Sequence, residues 1–164
     1  GFNLVPAALE ETGRSPAVAG IATGTYGLFV LLASQIVRRT THRTSPALYL
    51  LIGGTSASLG FGLLILSVTP VTVLLSCALQ GIAWVTMHTT LQTWATTLSS
   101  TARATAVSLF AGFMFLGNGA GAFIAGSLLD FRGSATLFFT VTVGTIALTV
   151  LSFVGARRYA HRLG

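Results

Sequence analysis

Four side chains that can bind a small molecule recur at every fourth position of one apolar segment. They are Gln80, Trp84, His88 and Gln92. On an α-helix, successive members of such a series differ in direction by about 40°, so all four share one broad face. Amide, indole and imidazole groups can together hydrogen-bond to and stack on a partly polar, partly aromatic molecule. The spacing therefore predicts a binding face, in which His88 could also take up a proton near neutral pH.

Two further pairs of side chains are candidates for the same kind of contact. Asn118 follows Met114 by one helical turn, and Tyr26 follows Thr23 in the first apolar segment. Polar side chains inside long apolar helices tend to face other helices or a wet cavity, because lipid cannot satisfy them. We therefore expect these four residues to line the same binding cavity as the face formed by Gln80, Trp84, His88 and Gln92.

Each candidate also has a purely structural interpretation. His88 could make an interhelical hydrogen bond, and Asn118 could bond a neighbouring backbone group. Trp84 could face lipid, although it lies in the middle of its segment and not where interfacial tryptophans are enriched. Gln92 lies towards the end of the segment and could meet lipid headgroups. The sequence leaves both interpretations open for all four residues.

The segments that must position these residues are long and apolar. The 164-residue chain has 52% hydrophobic and 7% charged residues, which is too few charges to cover a soluble core. About 20 apolar residues suffice for a helix to cross the hydrocarbon layer of a bilayer. Five segments meet this length, at about residues 17–37, 47–68, 71–98, 105–129 and 135–155. The sequence predicts an all-α, polytopic transmembrane bundle that forms one membrane domain over residues 1–164.

Arginine gives the orientation of this bundle. Short loops that carry arginine or lysine remain on the cytoplasmic side of a membrane. Seven of the nine arginines follow the first, third and fifth segments: Arg38, Arg39, Arg43, Arg103, Arg157, Arg158 and Arg162. Only Arg14 and Arg132 fall on the other side. We therefore expect a plasma or inner membrane protein with its C-terminus in the cytoplasm and residues 1–15 outside.

Enzymatic, metal-binding and nucleic-acid-binding functions have little support in the sequence. The formal charge of +6 consists of arginines that the topology already uses, so it does not predict a nucleic-acid partner. The three histidines lie in a loop, a span and the tail, and the chain has only three acidic residues and one cysteine. No set of metal-ligating spacing and no nucleophile with a base is present. We expect no enzyme activity, no metal and no cofactor.

Three stretches resemble a known family. Residues 4–20 (LVPAALEETGRSPAVAG) and 103–133 (RATAVSLFAGFMFLGNGAGAFIAGSLLDFRG) are similar to parts of drug-exporter-like permeases of the major facilitator superfamily. Residues 34–43 (SQIVRRTTHR) fall where that family repeats a cytoplasmic loop signature. The resemblance implies that the chain covers the end of helix seven and helices eight to twelve, which form the C-terminal half of the permease fold.

What this family does supplies the functional expectation. The resemblance implies a secondary active transporter that exports small amphipathic molecules by alternating access, with proton coupling. Its implied partners are the substrate, the lipid bilayer and the N-terminal half of the same permease. The segment with Gln80, Trp84, His88 and Gln92 corresponds to helix ten, which lines the cavity in relatives. Arg39 and Arg43 keep the loop signature, and the resemblance implies gating contacts for them.

Histidine is the residue type whose ordinary pKa lies near neutral pH, and His88 is the one histidine within a predicted span, so it is the candidate for proton coupling within these residues. The competing hypothesis places a coupling carboxylate in the missing half. The functional alternative to a permease half is a stand-alone five-span membrane subunit that acts through contacts between helices.

Overall fold

The computed structural model describes residues 16–97 and 102–161, and they form long helices. Helix α1 comprises Pro16–Thr40, α2 comprises Pro46–Leu66 and α3 comprises Pro70–Thr97. A last helical stretch, Arg103–His161, is interrupted at Gly133, and its two arms contain the spans α4 (Arg103–Leu129) and α5 (Phe131–Ala156). Within the described residues, five helices are thus long and apolar enough to cross a bilayer. This confirms the predicted all-α membrane bundle. The segment expected outside, residues 1–15, lies beyond the described part of the chain.

Local sequence explains where α2 begins and ends. Ser45 accepts a hydrogen bond from the backbone N–H of Leu48 at 3.3 Å, and Pro46 occupies the first helical position. Proline suits that position because it has no N–H to leave unpaired. At the other end, Ser67 adopts an extended backbone with φ −167° and ψ 144°. The helix therefore ends at Leu66, slightly before the limit near Val68 that hydropathy alone suggested.

Gly133 separates α4 from α5. Its backbone has φ 77° and ψ 170°, a conformation that side chains with a Cβ rarely adopt. Hydropathy predicted a polar loop between about Leu129 and Ala135, whereas the structure is helical up to and beyond this one residue. The break between the two helices therefore falls at a single glycine.

Helix α2 packs closely against α5 through small residues. A Cβ at Gly54 would collide with the side chain of Thr149, so the two helices approach more closely here than a larger residue permits. One turn further along, the Ser58 hydroxyl donates to Thr145 Oγ1 at 3.1 Å. Positions that increase along α2 therefore meet positions that decrease along α5, and the two helices run antiparallel.

Helix α3 makes close contacts with α2 and α1. A Cβ at Gly60 of α2 would lie 3.2 Å from Gln80 Nε2. A Cβ at Gly81 of α3 would lie 2.8 Å from the carbonyl oxygen of Tyr26 and 3.1 Å from the backbone nitrogen of Val30. Membrane helices gain no hydrophobic drive for association in lipid, so such close contacts between small residues take its place.

Two clusters of buried apolar side chains give the relative direction of the helices. The first cluster contains Ala22, Phe61, Val73, Cys77 and Phe138. The second contains Ala33, Val37, Tyr49 and Val85. Early residues of α1 thus meet early residues of α3, and late residues meet late ones, so α1 and α3 run parallel. The C-terminal ends of α1, α3 and α5 consequently lie at one end of the bundle. Arg38 and Arg39 lie in the last turn of α1, and Arg103, which begins α4, donates to the carbonyl oxygen of Thr96 near the end of α3.

Helix α4 packs loosely against the other helices. Among its described residues only Ala125 is buried. Its glycines include Gly117 and Gly121, which lie four residues apart on one face, a spacing that allows another helix to approach closely. A Cβ at either position would have nothing within 4 Å among the described residues. This glycine face therefore makes no close helix contact within the described chain.

Most threonine hydroxyls in the spans bond to their own helix. Thr55 donates to the carbonyl oxygen of Leu51 at 2.8 Å, Thr90 to that of Thr86 at 2.8 Å and Thr149 to that of Thr145 at 2.6 Å. A hydroxyl that is satisfied in this way needs no partner on another helix or in lipid. The many threonines of the spans therefore need no polar surroundings.

The contact between α2 and α5 gives a test of helix packing. Gly54→Ala should destabilise the bundle by about 1–3 kcal/mol, because its new methyl group would meet the β-branched, buried Thr149. Gly62→Ala on the same helix is the matched control, since nothing lies within 4 Å of its Cβ position. Thermal unfolding in detergent can be followed with a thiol-reactive fluorogenic dye that labels Cys77, which is fully buried in the fold. Equal apparent Tm values for the two variants would contradict this packing.

Candidate functional site

A cavity of about 700 Å³ lies between the helices, and its wall is built mainly from α3 and α4. It brings together six of the eight side chains that the sequence singled out for ligand contact. These six are Tyr26, Gln80, Trp84, His88, Met114 and Asn118. Helix α1 supplies the first, α3 the next three and α4 the last two. Residues that are far apart in the sequence thus converge on one space.

His88 lies between two aromatic rings. Its imidazole stacks on the indole of Trp84, with the ring centroids 4.7 Å apart and the planes inclined by 11°. On the α4 side, the Phe110 ring lies 5.6 Å away at an angle of 47°. The four-residue spacing of Trp84 and His88 places their rings over each other on one helical face. This arrangement differs from the interhelical hydrogen bond that was the structural interpretation of His88.

Gln80 both braces the bundle and lines the cavity. It is 8% exposed, and its amide nitrogen Nε2 donates to the carbonyl oxygen of Ala57 in α2 at 3.3 Å. The absence of a side chain at Gly60 makes room for this amide. The bond holds the carboxamide at the wall of the cavity, where its oxygen can accept a hydrogen bond from a ligand.

Asn118 is held by its own helix. Its side-chain nitrogen Nδ2 donates to the carbonyl oxygen of Met114 at 3.0 Å. This is the local backbone bond that the sequence left open as a structural interpretation. Both residues nevertheless line the cavity, so Asn118 can offer its side-chain oxygen and the remaining amide proton to a ligand.

Gln92 and Thr23 do not line the cavity. The drift of about 40° per four residues adds up to about 120° between Gln80 and Gln92, which takes Gln92 off the cavity face and leaves it exposed. Thr23 is also exposed, and its hydroxyl donates to the carbonyl oxygen of Ala19 at 2.9 Å. The structure does not bring these two residues to the site that the other six form.

Several wall residues escaped the sequence analysis. Phe61, Met87, Phe110 and Phe113 all line the cavity. Apolar residues of this kind are common in every span, so nothing in the sequence marked these as cavity residues. The chain's two methionines offer a weak signal in retrospect, because both Met87 and Met114 lie in this wall.

The described wall of the cavity carries no formal charge at neutral pH if His88 is neutral. None of its described lining residues is Asp, Glu, Lys or Arg. No group of three or more His, Cys, Asp or Glu residues that could hold a metal ion is found in residues 16–97 and 102–161. The chemistry available here is hydrogen bonding and aromatic stacking.

Arg39 and Arg43 lie away from this cavity. Both are exposed, Arg39 in the last turn of α1 and Arg43 in the loop before α2. Beside them, the Tyr49 hydroxyl shares a hydrogen bond of 2.7 Å with Thr40 Oγ1 and fastens the start of α2 to the end of α1. The two guanidinium groups are placed for contacts at the end of the bundle and not for contact with a ligand in its interior.

A multi-pass helical bundle with a partly polar cavity between its helices is compatible with transport across a membrane, because polar side chains inside spans tend to mark substrate pathways. The sequence model of the Major Facilitator Superfamily matches residues 1–163. The chain therefore belongs to the Major Facilitator Superfamily, and it is a transporter of that superfamily. This confirms the resemblance seen in the sequence. Comparison with curated proteins and with solved structures gave no match.

Proposed function

We propose that this chain forms the C-terminal half of a permease that exports small amphipathic molecules by alternating access. The observation that carries the proposal is the cavity of about 700 Å³, in which Gln80 and Asn118 offer amides within a largely apolar and aromatic wall. Amphipathic molecules need this combination, because their rings must be stacked or covered while their few polar atoms are hydrogen-bonded. Family membership supports transport in general.

The packing of α4 supports the assignment to half of a larger fold. This helix lines the cavity yet buries only Ala125 among its described residues, and Phe113, Phe115 and Leu116 are each about 70% exposed. Under the proposal, a second set of helices from the same permease faces α4 and closes the cavity. Rocking of the two sets against each other would open the cavity to alternate sides of the membrane.

The arginine-bearing end is assigned to the cytoplasm. Arg38, Arg39 and Arg158 are exposed at the C-terminal ends of α1 and α5, which lie at the same end of the bundle. Clusters of arginine in short loops remain on the cytoplasmic side, so under this proposal the C-terminal ends of α1 and α5 face the cytoplasm. In this position, Arg39 and Arg43 can make the gating contacts that the family's loop signature implies.

The role of the cavity can be tested by two paired double substitutions in the protein encoded by the complete reading frame. Gln80→Ala with Trp84→Ala should reduce efflux by about tenfold or more, because the wall loses a buried amide and an aromatic surface. Gln92→Ala with Trp94→Ala removes the same side-chain types from the same helix without touching the cavity wall. Efflux of a panel of neutral, anionic and cationic amphipathic dyes from loaded liposomes measures the effect. Equal losses in both double variants would contradict the assignment of this cavity.

The contribution of the second half gives another test. The 164 residues alone should move none of these dyes across liposomes, because the cavity lacks its facing helices, whereas the product of the complete reading frame should move at least one.

The alternative function, a five-span subunit that acts through its helix faces, also explains the uncovered side of α4. That alternative predicts stable co-purification with a different protein. Transport by the 164 residues alone would overturn the proposal of a half permease.

Proton coupling can be assigned with His88→Gln. The His88 ring meets the rings of Trp84 and Phe110, and neither ring can pass a proton onward. We therefore place the coupling carboxylate in the other half and expect efflux driven by a pH gradient to persist in this variant. Loss of pH-driven efflux with substrate binding retained would transfer the coupling role to His88.

A further inference from the structure

A second, smaller pocket of about 150 Å³ lies where the end of α1, the start of α2 and the last turns of α3 meet. Its wall includes the hydroxyl groups of Thr41, Tyr49, Thr89, Thr90 and Thr93. We propose that this pocket binds the headgroup of phosphatidylglycerol, an anionic lipid whose glycerol headgroup carries two hydroxyl groups. The inference concerns a different site from the cavity proposed for export and does not depend on that proposal.

The threonine hydroxyl protons of this wall are already used within the protein. Thr41, Thr89, Thr90 and Thr93 each donate to the carbonyl oxygen four residues earlier in the chain, at 2.6, 2.6, 2.8 and 2.8 Å, respectively. A hydroxyl group has one proton to donate and two lone pairs that can accept. Towards a ligand, these four oxygens therefore act as hydrogen-bond acceptors.

The Tyr49 hydroxyl has the same property. The Thr40 hydroxyl donates to the carbonyl oxygen of Ile36 at 2.8 Å. In the 2.7 Å bond between Thr40 Oγ1 and the Tyr49 hydroxyl, the tyrosine is therefore the donor. A wall whose hydroxyl groups offer acceptors favours an occupant that brings donors, and the candidates are an ammonium, a guanidinium or an alcohol.

Positive charge beside the pocket selects among these donors. Arg43 lies between the lining residues Thr41 and Thr44, in a tight turn in which its backbone N–H donates to the carbonyl oxygen three residues earlier at 2.9 Å. At the end of α3, Arg103 donates through Nε to the carbonyl oxygen of Thr96 at 3.1 Å. Both arginines are exposed and carry a permanent positive charge, so they repel a cationic occupant and attract an anion. An alcohol joined to an anion meets both requirements.

The volume and position of the pocket suit the headgroup of a phospholipid. A cavity of this volume can hold a molecule the size of benzene, which has about six non-hydrogen atoms. Glycerol has as many, whereas a ring polyol such as inositol has about twice as many. The pocket lies at helix ends beside exposed arginines, where membrane spans meet the headgroups. A glycerol in the pocket would place its phosphate within reach of Arg43 and Arg103.

The pocket lies on the other side of α3 from the larger cavity. At about 100° per residue, Thr89 and Thr93 point about 140° and 180° away from Trp84, which lines that cavity. The pocket is therefore turned away from the helices that the proposed function places across the larger cavity. Lipid is the neighbour that we expect on this side of α3.

Native mass spectrometry of the purified product of the complete reading frame tests the inference. The protein is equilibrated in mixed micelles with equal amounts of phosphatidylglycerol and phosphatidylethanol that carry the same acyl chains. These lipids have the same charge, but the ethanol headgroup has no hydroxyl group. We expect about tenfold more phosphatidylglycerol to remain bound, because two hydroxyl groups donate to the wall. Phosphatidylcholine, phosphatidylethanolamine and free glycerol 3-phosphate should each bind more weakly than phosphatidylglycerol.

Substitution of threonines tests the hydrogen bonds to the headgroup. Thr89→Val with Thr93→Val keeps the shape of the wall and removes two acceptors, so it should lower the ratio of bound phosphatidylglycerol to bound phosphatidylethanol at least threefold. Thr55→Val with Thr140→Val is the matched control. Both of these threonines are exposed, bond to their own helices and lie outside both cavities. The control should keep the wild-type ratio.

Substitution of arginines tests the contacts to the phosphate. Arg43→Gln with Arg103→Gln should lower the binding of both anionic lipids about equally and leave their ratio unchanged, because both have the same phosphate. Arg132→Gln with Arg158→Gln makes the same change in net charge on α5, which does not line the pocket. That control should retain the binding of both lipids.

Several outcomes would overturn the inference. These are equal binding of phosphatidylglycerol and phosphatidylethanol, stronger binding of a lipid with an ammonium headgroup, and a ratio that is unchanged in the Thr89 and Thr93 variant. Free glycerol 3-phosphate that binds as tightly as the lipid would overturn the assignment to a lipid. Thermal unfolding with the dye that labels Cys77 verifies that each variant is folded. Since lipid binding is measured without transport, none of these outcomes bears on the export proposal.

Discussion

The close approach of α3 to α1 and α2 is the constraint on which the rest of this structure depends. At Gly81, a single added methyl group would meet the backbone of α1, and at Gly60 it would crowd the amide of Gln80. Because lipid provides no hydrophobic drive between helices, these contacts hold α3 in a fixed rotation. That rotation turns Gln80, Trp84 and His88 inwards together, and it turns Gln92 outwards. The position of the cavity is therefore a consequence of backbone packing at Gly81, which lies within about two turns of these three side chains on the same helix.

The groups that can bind a ligand in the cavity are those that are not already hydrogen-bonded within the protein. Gln80 uses its amide nitrogen to reach α2, and Asn118 uses its own to reach Met114. Their oxygens and the nitrogens of His88 are among the polar atoms of the wall. The described lining carries no Asp, Glu, Lys or Arg, so these few polar atoms lie within a largely apolar and aromatic surface.

Sequence reasoning reached the architecture because the dominant signal, apolar length, is local. Five spans can be read from hydropathy, and the arginine pattern predicts which ends lie together. Sequence-based prediction was wrong or silent where small changes of direction add up along a helix, and where a residue's surroundings depend on the other helices. Four-residue spacing suggested that Gln92 belongs with Gln80, but the small drift per step becomes decisive after three steps. The place of Phe110 and Met87 in the cavity wall could not be predicted, because an apolar residue that faces a cavity looks the same in sequence as one that faces lipid. The break at Gly133 could not be predicted either, because helix propensity alone does not reveal that a single residue can separate two helices.

The threonines that bond to their own carbonyls change what the composition of these helices means. A hydropathy scale treats every threonine hydroxyl as a polar group exposed to its surroundings. In α2, α3 and α5, however, such hydroxyls donate hydrogen bonds to carbonyl oxygens of the preceding helical turn. Where such a residue faces the acyl chains, its methyl group remains for contact, and it behaves much as a small aliphatic side chain would. A helix can therefore carry many threonines and still insert stably, while water that enters between the helices finds far fewer partners than a count of hydroxyls suggests.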